Sequence, residues 1–129
     1  MCPAGKFVHL ISIIQDELLP QEINYGKEEI NFENINIKTS DFNNERNSLI
    51  DFFQSKNINL DKKGLNITLK KSSIENQNDE AYTLTISDEI LIAAPTHKGI
   101  YYGIQTLKQI LRQQGETGIF PQLTITDWP

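Results

Sequence analysis

The stretch 82–111 decides the fold class and reads YTLTISDEILIAAPTHKGIYYGIQTLKQIL. In its first part Tyr82, Leu84 and Ile86 alternate with threonines, a pattern that is typical of a half-buried strand. After a short polar turn, the continuously apolar segment 90–94 predicts a second strand that is buried on both faces. We therefore expect the two strands to form a β-hairpin.

A helix is predicted directly after the hairpin, because a proline and Thr96, a candidate N-cap, interrupt the second strand. Apolar residues then recur at the spacing of one helix face, at Ile100, Ile104, Leu107 and Leu111. Gly99 and Gly103 share a neighbouring face, and in a helix each glycine costs up to about 1 kcal/mol relative to alanine. They indicate either a loose helix start or a close approach of the helix backbone to the sheet. Gly115 and Gly118 predict the end of the helix.

Upstream of the hairpin the chain alternates apolar and polar residues twice. Ile30 and Phe32 follow one phase of the alternation and Ile35 and Ile37 follow the other, with a slip of one residue between the pairs. The slip predicts two short strands, or one strand with a bulge at 33–34.

A first helix is predicted to begin at Ser40-Asp41, since either side chain can accept hydrogen bonds from the free amides of a first turn. Its end is expected near 56–57. The apolar residues of this segment recur at helical spacing, at Leu49, Ile50 and Phe53.

The remaining segments complete one sheet. Residues 65–69 and 123–126 alternate apolar with polar side chains, and the polar segment 72–80 predicts a loop. The order is then strands, helix, strand, hairpin, helix and strand, and two helices are too few to cover both faces of a parallel sheet of this size. The pattern predicts an α+β domain with a mixed, mostly antiparallel sheet and two helices packed on one face.

Composition excludes several classes of function. The 129 residues suit one domain, and the formal net charge of −5 at pH 7 argues against nucleic-acid binding. The lysine pairs 62–63 and 70–71 are expected to be solvated strand ends rather than a phosphate track. Cys2 is the single cysteine, so no internal disulfide is expected. The apolar segment 7–14 indicates either a signal-peptide core or an ordered element, and it is too short to span a membrane.

Candidate catalytic and metal-binding residues are few. His9 and His97 are the two histidines, and no cysteine or carboxylate lies at metal-ligand spacing beside His97. The adjacent carboxylate pairs 28–29 and 88–89 do not converge on one substrate atom, because neighbours on a strand point to opposite faces. We therefore expect no catalytic residue, no metal site and no cofactor site in this chain.

Three aromatic residues could stack on a sugar. Tyr101 and Tyr102 are neighbours on the predicted helix and diverge by about 100°, so at most one would face solvent usefully. For these two and for Trp128 we expect core or interface packing. The glycosylation sequon at 66–68 falls inside a predicted strand, which makes it a weak signal.

The last third of the chain carries a resemblance to a known family. The hairpin at 82–94 is followed by GIYYGIQTLKQIL at 99–111 and by LTITDWP at 123–129. This succession resembles the domain that precedes the catalytic barrel in β-N-acetylhexosaminidases of glycoside hydrolase family 20, through the motifs G-x-x-Y-G-x-Q-T-L-x-Q-(I/L)-L and I-x-D-x-P. The opening segment LPQEINYG at 19–26 is similar to the start of that domain.

The resemblance implies a mixed sheet with two helices on one side, and it implies that the catalytic residues belong to a separate barrel domain. In the family, the closing motif leads into the first barrel strand and a substrate-binding arginine, and the catalytic Asp-Glu pair comes much later. There the acetamido group of the substrate is the nucleophile. None of these positions lies within this chain, so residues 18–129 are expected to be a non-catalytic accessory domain, inactive alone, that packs on the barrel and stabilises it. Residues 1–17 are expected to be an extension without an assigned role.

The resemblance also implies properties of a longer parent protein. The parent is expected to hydrolyse terminal N-acetylglucosamine or N-acetylgalactosamine of glycans and to be secreted, periplasmic or surface-associated. The end of the chain on Trp128 and Pro129, at a strand exit, predicts truncation, with Trp128 packed at the domain boundary. The fragment itself is expected to be soluble.

Two alternatives remain open at this point. The equivalent domain of family 84 hydrolases of O-linked N-acetylglucosamine, or of α-glucuronidases, shares the helix and the I-x-D-x-P motif. An Arg-Gly after Pro129 would favour family 20, whereas Asp-Asp would favour family 84. A stand-alone carbohydrate-binding module belongs to another class of function and requires an exposed aromatic platform, which the sequence does not indicate.

Overall fold

The computed structural model describes residues 22–72, 80–113 and 119–127 of the chain. Within these ranges the chain forms seven strands and two helices. In chain order they are β1 Glu22–Asn31, β2 Asn34–Thr39, α1 Asn43–Ser55, β3 Asn59–Leu60, β4 Leu65–Lys71, β5 Tyr82–Ile86, β6 Ile90–Ala94, α2 His97–Gln113 and β7 Ile119–Asp127. This succession confirms the predicted order and adds the two-residue strand β3.

The seven strands join one mixed sheet in the order β1-β7-β5-β6-β4-β2-β3. The pairs β1–β7, β7–β5 and β5–β6 are antiparallel, whereas β6–β4, β4–β2 and β2–β3 are parallel. The predicted α+β class with a mixed sheet is confirmed, and three of its six strand pairs are antiparallel. The predicted hairpin of β5 and β6 is also confirmed, with Ile86 facing Ile90 across the turn.

The phase slip between Phe32 and Ile35 separates two strands. β1 lies at one edge of the sheet beside β7, and β2 lies near the other edge between β4 and β3. The bulge falls inside β1 instead, where its register against β7 shifts between Tyr25 and Glu29. Only two residues separate these strands in sequence, so the end of β1 and the start of β2 lie close together although four other strands stand between them in the sheet order.

Alternation gives the sheet one apolar face and one polar face. The apolar face is covered by α1 and α2, and its side chains are almost fully buried, at Ile35, Ile37, Ile67, Leu69, Leu84, Ile86, Ile90, Ile92, Leu123 and Ile125. The opposite face, called the open sheet face below, is mostly polar and only partly buried, with Asn36, Asn66, Thr68, Thr83, Thr85, Leu91, Thr124 and Thr126. Since the helices contact each other as well as the apolar face, both lie on one side of the sheet.

Helix α1 begins without a side-chain cap. Its N-cap residue is Phe42, so the predicted capping by Ser40 or Asp41 is wrong. Ser40 Oγ instead donates to Asp41 Oδ2 at 3.3 Å. Thr39 Oγ1 accepts from Phe42 N at 3.1 Å and donates to Leu69 O at 2.9 Å. The last residue of β2 thus ties the start of the helix to the neighbouring strand β4.

Helix α2 follows the predicted pattern closely. Gly99 N donates to Thr96 Oγ1 at 3.3 Å, which confirms the predicted cap. The predicted apolar stripe faces the sheet and is at most 3% exposed, at Ile100, Ile104, Leu107 and Leu111. A Cβ atom on Gly103 would lie 2.6 Å from Ile92 Cγ2, and one on Gly99 would collide with Ala81 O. Of the two interpretations of these glycines, the close approach to the sheet is therefore confirmed.

Strand β6 departs from its prediction at one position. Ile90, Ile92 and Ala94 are fully buried beneath the helices, but Leu91 lies on the open sheet face and is 36% exposed. The prediction of burial on both faces is therefore wrong at Leu91. Leu91 lies between Thr68 and Thr85 of the neighbouring strands, and Ala93 lies between Lys70 and Thr83.

Several predictions fall outside the described residues. They concern His9, Cys2, most of the loop 72–80, the glycines at 115 and 118, and Trp128. Neither described helix is long and apolar enough to cross a membrane.

Candidate interdomain surface

The carboxylate pairs singled out in the sequence occupy separate places on the surface. Glu28 and Glu29 are exposed on the edge strand β1, whereas Asp88 and Glu89 lie in the turn between β5 and β6. Glu89 Oε2 accepts a hydrogen bond from Asn66 Nδ2 at 3.0 Å, which fixes it to the open sheet face. Within residues 22–72, 80–113 and 119–127, no group of three or more His, Cys, Asp or Glu side chains is arranged to hold a metal ion.

The lysine pairs lie at opposite ends of strand β4. Lys62 and Lys63 precede the strand in an exposed turn, and Lys70 and Lys71 are its last two residues. The intervening strand separates the two pairs by about 15–20 Å at about 3.3 Å per residue. The four ammonium groups therefore do not form one cationic stripe.

His97 joins the first turns of the two helices. Its Nδ1 lies 2.8 Å from Glu45 Oε2 on α1, and its ring packs edge-on against Phe42 with 4.9 Å between the centroids. The imidazole is 67% exposed, whereas the Glu45 side chain is 16% exposed. Among the described atoms, Glu45 Oε1 is buried without a hydrogen-bond partner.

Tyr82 is a buried ionisable residue at the start of β5. Its hydroxyl lies 2.6 Å from Thr106 Oγ1 on α2, so the ring packs beneath the helix. Burial raises the pKa of Tyr82 strongly, the hydrogen bond to Thr106 lowers it, and the negative charge of Asp127 raises it further. Asp127 faces Tyr82 across the β5–β7 pair and is itself 6% exposed. These groups stabilise the junction of sheet and helix, and they are not open to a substrate.

The surface of the helix pair turned away from the sheet is here called the outer helix face. The two helices run parallel, because His97 meets Glu45 at their first turns and Phe52 meets Lys108 and Arg112 near their last. On α2 this face is formed by residues at helical spacing, namely Tyr101, Gln105, Lys108 and Arg112. All four are exposed or half-buried, in contrast to the buried stripe on the sheet side of the same helix.

Tyr101 dominates the N-terminal half of the outer helix face. It is 54% exposed, the largest exposure among the large apolar side chains that the structure describes. Its ring meets Tyr102 edge-on, with 5.6 Å between the centroids and 72° between the planes. Tyr102 donates to Glu80, and this hydrogen bond, with the charge of Glu80, raises the pKa of Tyr102. Two perpendicular rings do not form the flat platform on which a sugar ring stacks.

Two shallow clefts flank Tyr101. One of about 330 Å³ lies towards His97, Glu80 and Tyr102, and one of about 200 Å³ lies between the helices beside Ser48 and Gln105. Tyr101 and Glu45 line both clefts, so together they form one interrupted groove along the N-terminal half of the helix pair.

A cluster of cations surrounds Phe52 at the other end of the same face, and is called the Phe52 cluster below. Lys56 Nζ, Lys108 Nζ and Arg112 Cζ lie 5.9, 5.4 and 5.5 Å from the centroid of the Phe52 ring. Burial of the ammonium and the neighbouring charge of Arg112 lower the pKa of Lys108. The sequence shows both i, i+4 pairs, Phe52 with Lys56 and Lys108 with Arg112, but their meeting across two helices is a tertiary feature that sequence reasoning missed.

A family model matches nearly the whole described domain. The model is described as glycosyl hydrolase family 20, domain 2, and it covers residues 19–128. The match spans both motifs on which the resemblance rested, the helix at 99–111 and the closing segment from 123.

Solved structures show the same fold. An exo-β-N-acetylglucosaminidase of this family from Vibrio harveyi superposes with a TM-score of 0.67 at 22% identity, over 85% of this chain and 18% of its own. A β-N-acetylhexosaminidase from Bacteroides fragilis gives 0.63 at 23% identity, over 88% and 24%. A protein named CpGH84B gives 0.70 at 18% identity, over 85% and 22%. The chain therefore spans about a fifth of the length of these relatives.

Proposed function

Because the chain belongs to the glycosyl hydrolase family 20, domain 2 family, we propose that it is the accessory domain of a β-N-acetylhexosaminidase. In this proposal residues 18–129 form the domain, residues 1–17 are an extension, and a catalytic barrel elsewhere in a longer parent hydrolyses terminal N-acetylhexosamine from glycans or chitooligosaccharides. The observation that carries the proposal is the family match over residues 19–128, in a chain about a fifth as long as its structural relatives.

We propose further that the domain packs on the barrel through the outer helix face and contributes no catalytic group. Tyr101 supports this choice, because a tyrosine that is 54% exposed above two clefts is typical of an interface residue. The open sheet face is covered mainly by threonine and asparagine, which suit contact with water. Catalysis by the chain itself is not supported by a convergent carboxylate pair, because 28–29 belong to the edge strand β1 and 88–89 to the turn between β5 and β6.

The equivalent domain of a family 84 hydrolase is the nearest alternative. It is supported by the similarity to CpGH84B, whose superposition is as close as those of the family 20 relatives. The complete gene product tests both ideas. We expect it to continue from Pro129 into Arg-Gly and a barrel with a later Asp-Glu pair, and to hydrolyse a chromogenic N-acetyl-β-glucosaminide. The 129-residue chain should show no turnover. An Asp-Asp after Pro129 would favour family 84, and a gene product without a barrel would refute the accessory role.

Packing through the outer helix face can be tested with a matched pair of variants. Tyr101→Lys places a charge on that face, and Leu91→Lys places the same charge on the open sheet face at another exposed apolar residue. In the complete gene product we expect only Tyr101→Lys to accelerate thermal inactivation of the hydrolase. Equal behaviour of the two variants would contradict the assignment of this face.

A carbohydrate-binding role of the isolated chain is testable separately. The perpendicular rings of Tyr101 and Tyr102 argue against it. Calorimetric titration with chitobiose should show no heat of binding, and saturable binding that Tyr101→Ala abolishes would replace the structural role with a recognition role.

We also propose that the parent is secreted, periplasmic or surface-associated. The family resemblance supports this placement, and the apolar segment 7–14 behind Lys6 resembles the core of a signal peptide, although no small-residue cleavage site follows it. Fractionation of cells that express the complete gene should recover the activity outside the cytoplasm. Recovery in the cytoplasmic fraction would reject the proposal.

A further inference from the structure

We propose that the carboxyl ends of the parallel strands β2 and β4 bind a small oxyanion of the sulfate or phosphate class. A cleft of about 410 Å³ opens at this end of the sheet and is called the strand-end cleft below. Three lysine side chains line it, those of Lys38, Lys70 and Lys71. Three cations therefore border one cleft of a chain whose formal net charge is −5 at pH 7.

The register of the sheet brings these lysines together. Lys38 on β2 lies opposite Thr68 on β4, and Lys70 is two residues further along β4. Side chains two residues apart on a strand share a face, so Lys38 and Lys70 both belong to the open sheet face, with about 8 Å between their Cα atoms. Lys71 belongs to the opposite face. The cleft therefore receives cations from both sides of the strand ends, on flexible stems that can close around one anion.

Hydrogen bonds fix the backbone on which the cations stand. Thr39 Oγ1 donates to Leu69 O at 2.9 Å and accepts from Phe42 N at 3.1 Å, so the end of β2 is tied to β4 and to the start of α1. Ser40 Oγ donates to Asp41 Oδ2 at 3.3 Å, which is long for two oxygens, so this hydroxyl can turn to a better acceptor in the cleft. A framework that is ordered beforehand lowers the entropic cost of binding.

The charge of the lining selects the ligand. Among the described lining residues, three lysines and the single carboxylate of Asp41 give a net charge of three minus one, or +2. A sulfate or phosphate dianion matches this charge, and lysine binds such groups as a point charge. A polynucleotide does not fit, because the other lysine pair, Lys62 and Lys63, precedes the opposite end of β4. The site therefore suits one anion rather than a chain of phosphates.

The proposal does not rest on the accessory role proposed above, because the strand-end cleft lies outside the outer helix face. The anion has two sources, a free inorganic ion and an ester group on a glycan, and both have the same oxyanion chemistry. The experiments below first test the site and then separate the two sources.

The site is tested by titrating the isotope-labelled 129-residue chain with sodium sulfate, followed by NMR, with sodium chloride at equal ionic strength as the control. We expect saturable shifts of the backbone amides at 38–41 and 68–71. Half-saturation should be on the order of 1 mM, because all three lysines are exposed and surface charge pairs are weak. Shifts that do not saturate, or that chloride reproduces, would overturn the proposal.

A matched pair of double variants locates the site. Lys38→Gln with Lys70→Gln removes two cations from the strand-end cleft, and Lys62→Gln with Lys63→Gln removes two exposed cations from the turn before β4. The cleft variant should bind sulfate about tenfold more weakly, whereas the turn variant should bind it within about twofold of the unchanged chain. Equal weakening by the two variants would show attraction to the overall charge and would overturn the site. Lys38→Arg with Lys70→Arg keeps both charges and should retain binding, so a loss there would also contradict it.

Two further probes separate the sources of the anion. N-acetylglucosamine 6-sulfate is compared with inorganic sulfate, and unsulfated N-acetylglucosamine is the blank. Tighter binding of the sugar ester supports the site and assigns it to sulfated glycans, and equal affinity supports it as a site for the free ion. Sodium acetate that binds as tightly as sulfate would overturn the proposal, because the cleft would then not distinguish a dianion from a monoanion.

Discussion

The two faces of the sheet are formed by alternate residues of the same strands, yet they have opposite roles. Ile92 is fully buried beneath the helices, whereas its neighbour Leu91 points to the open sheet face and is 36% exposed. On the helix-covered face the side chains are apolar and closely packed, and two glycines let the helix approach. On the open face Asn36 and Asn66 hydrogen-bond to each other, and the threonines are partly exposed. The contrast teaches that apolar packing, and with it most of the stability, is concentrated on one face of the sheet.

The largest expected effect comes from replacing a residue on each face of β6 with alanine and comparing the two losses of stability. Ile92→Ala should lower the free energy of unfolding by about 2–5 kcal/mol, because it removes a buried side chain and leaves a cavity beneath α2. Leu91→Ala on the same strand should cost less than about 1 kcal/mol, since that side chain is already partly in water. Urea unfolding followed by circular dichroism measures both values. Similar losses for the two variants would contradict the contrast between the faces.

The next effect concerns the approach of α2 to the sheet. An alanine replacing glycine in a helix normally stabilises by about 1 kcal/mol, but Gly99→Ala should destabilise by about 1–3 kcal/mol. The added Cβ would collide with the backbone oxygen of Ala81 and lie 2.6 Å from Ala94 Cβ, and neither atom can move without shifting a strand. Gly103→Ala should cost less, because its nearest neighbour is a side-chain methyl group, Ile92 Cγ2, rather than a backbone atom. Thermal unfolding should rank the variants in this order, and a more stable Gly99→Ala would show that the backbone approach is looser than described.

These cases show which parts of the fold a single sequence can predict. The stripe from Ile100 to Leu111 was predictable because helical periodicity is local, and the structure buries all of it. The capping by Ser40 or Asp41 was predicted wrongly. The amide of Phe42 donates to Thr39 Oγ1 instead, and the Thr39 hydroxyl is held by its own hydrogen bond to Leu69 O on the neighbouring strand β4.

The sheet and the surface were predictable to different extents. The hairpin follows from adjacent alternating segments, but the parallel pairing of β2, β4 and β6 joins segments far apart in sequence. The burial of Leu91 was overestimated because an apolar run does not reveal which face a helix covers. The Phe52 cluster could not be predicted, because each helix contributes only an ordinary i, i+4 pair and their meeting depends on parallel helix packing.

A smaller effect is expected at alkaline pH, where the buried Tyr82 on the helix-covered face should lower the stability of the fold. Burial raises the pKa of Tyr82 far above its ordinary value of 10.0, so the folded state holds this proton after the unfolded state has released it. The stabilisation is therefore complete below pH 10 and is lost as the pH rises above it. Tyr82→Phe should cost about 1 kcal/mol at pH 7 through the lost hydrogen bond to Thr106, and should flatten the decline in stability above pH 10. Guanidinium unfolding at pH 7 and pH 10.5 measures the difference. If the free energy of unfolding of Tyr82→Phe declines above pH 10 as steeply as that of the unchanged chain, a group other than Tyr82 causes the decline.

The smallest effect is expected on the open sheet face, where Asn66 links two elements. Its side chain accepts from Asn36 Nδ2 at 3.2 Å and donates to Glu89 Oε2 at 3.0 Å, so it ties β2 to β4 and to the hairpin turn. Both bonds are partly or fully exposed, and water replaces them when they break, so Asn66→Thr should change the free energy of unfolding by less than about 0.5 kcal/mol. Threonine is also favoured in strands, which offsets part of the loss. A loss above 2 kcal/mol would mean that the polar network holds the sheet together as strongly as the core, and the division between the faces would then fail.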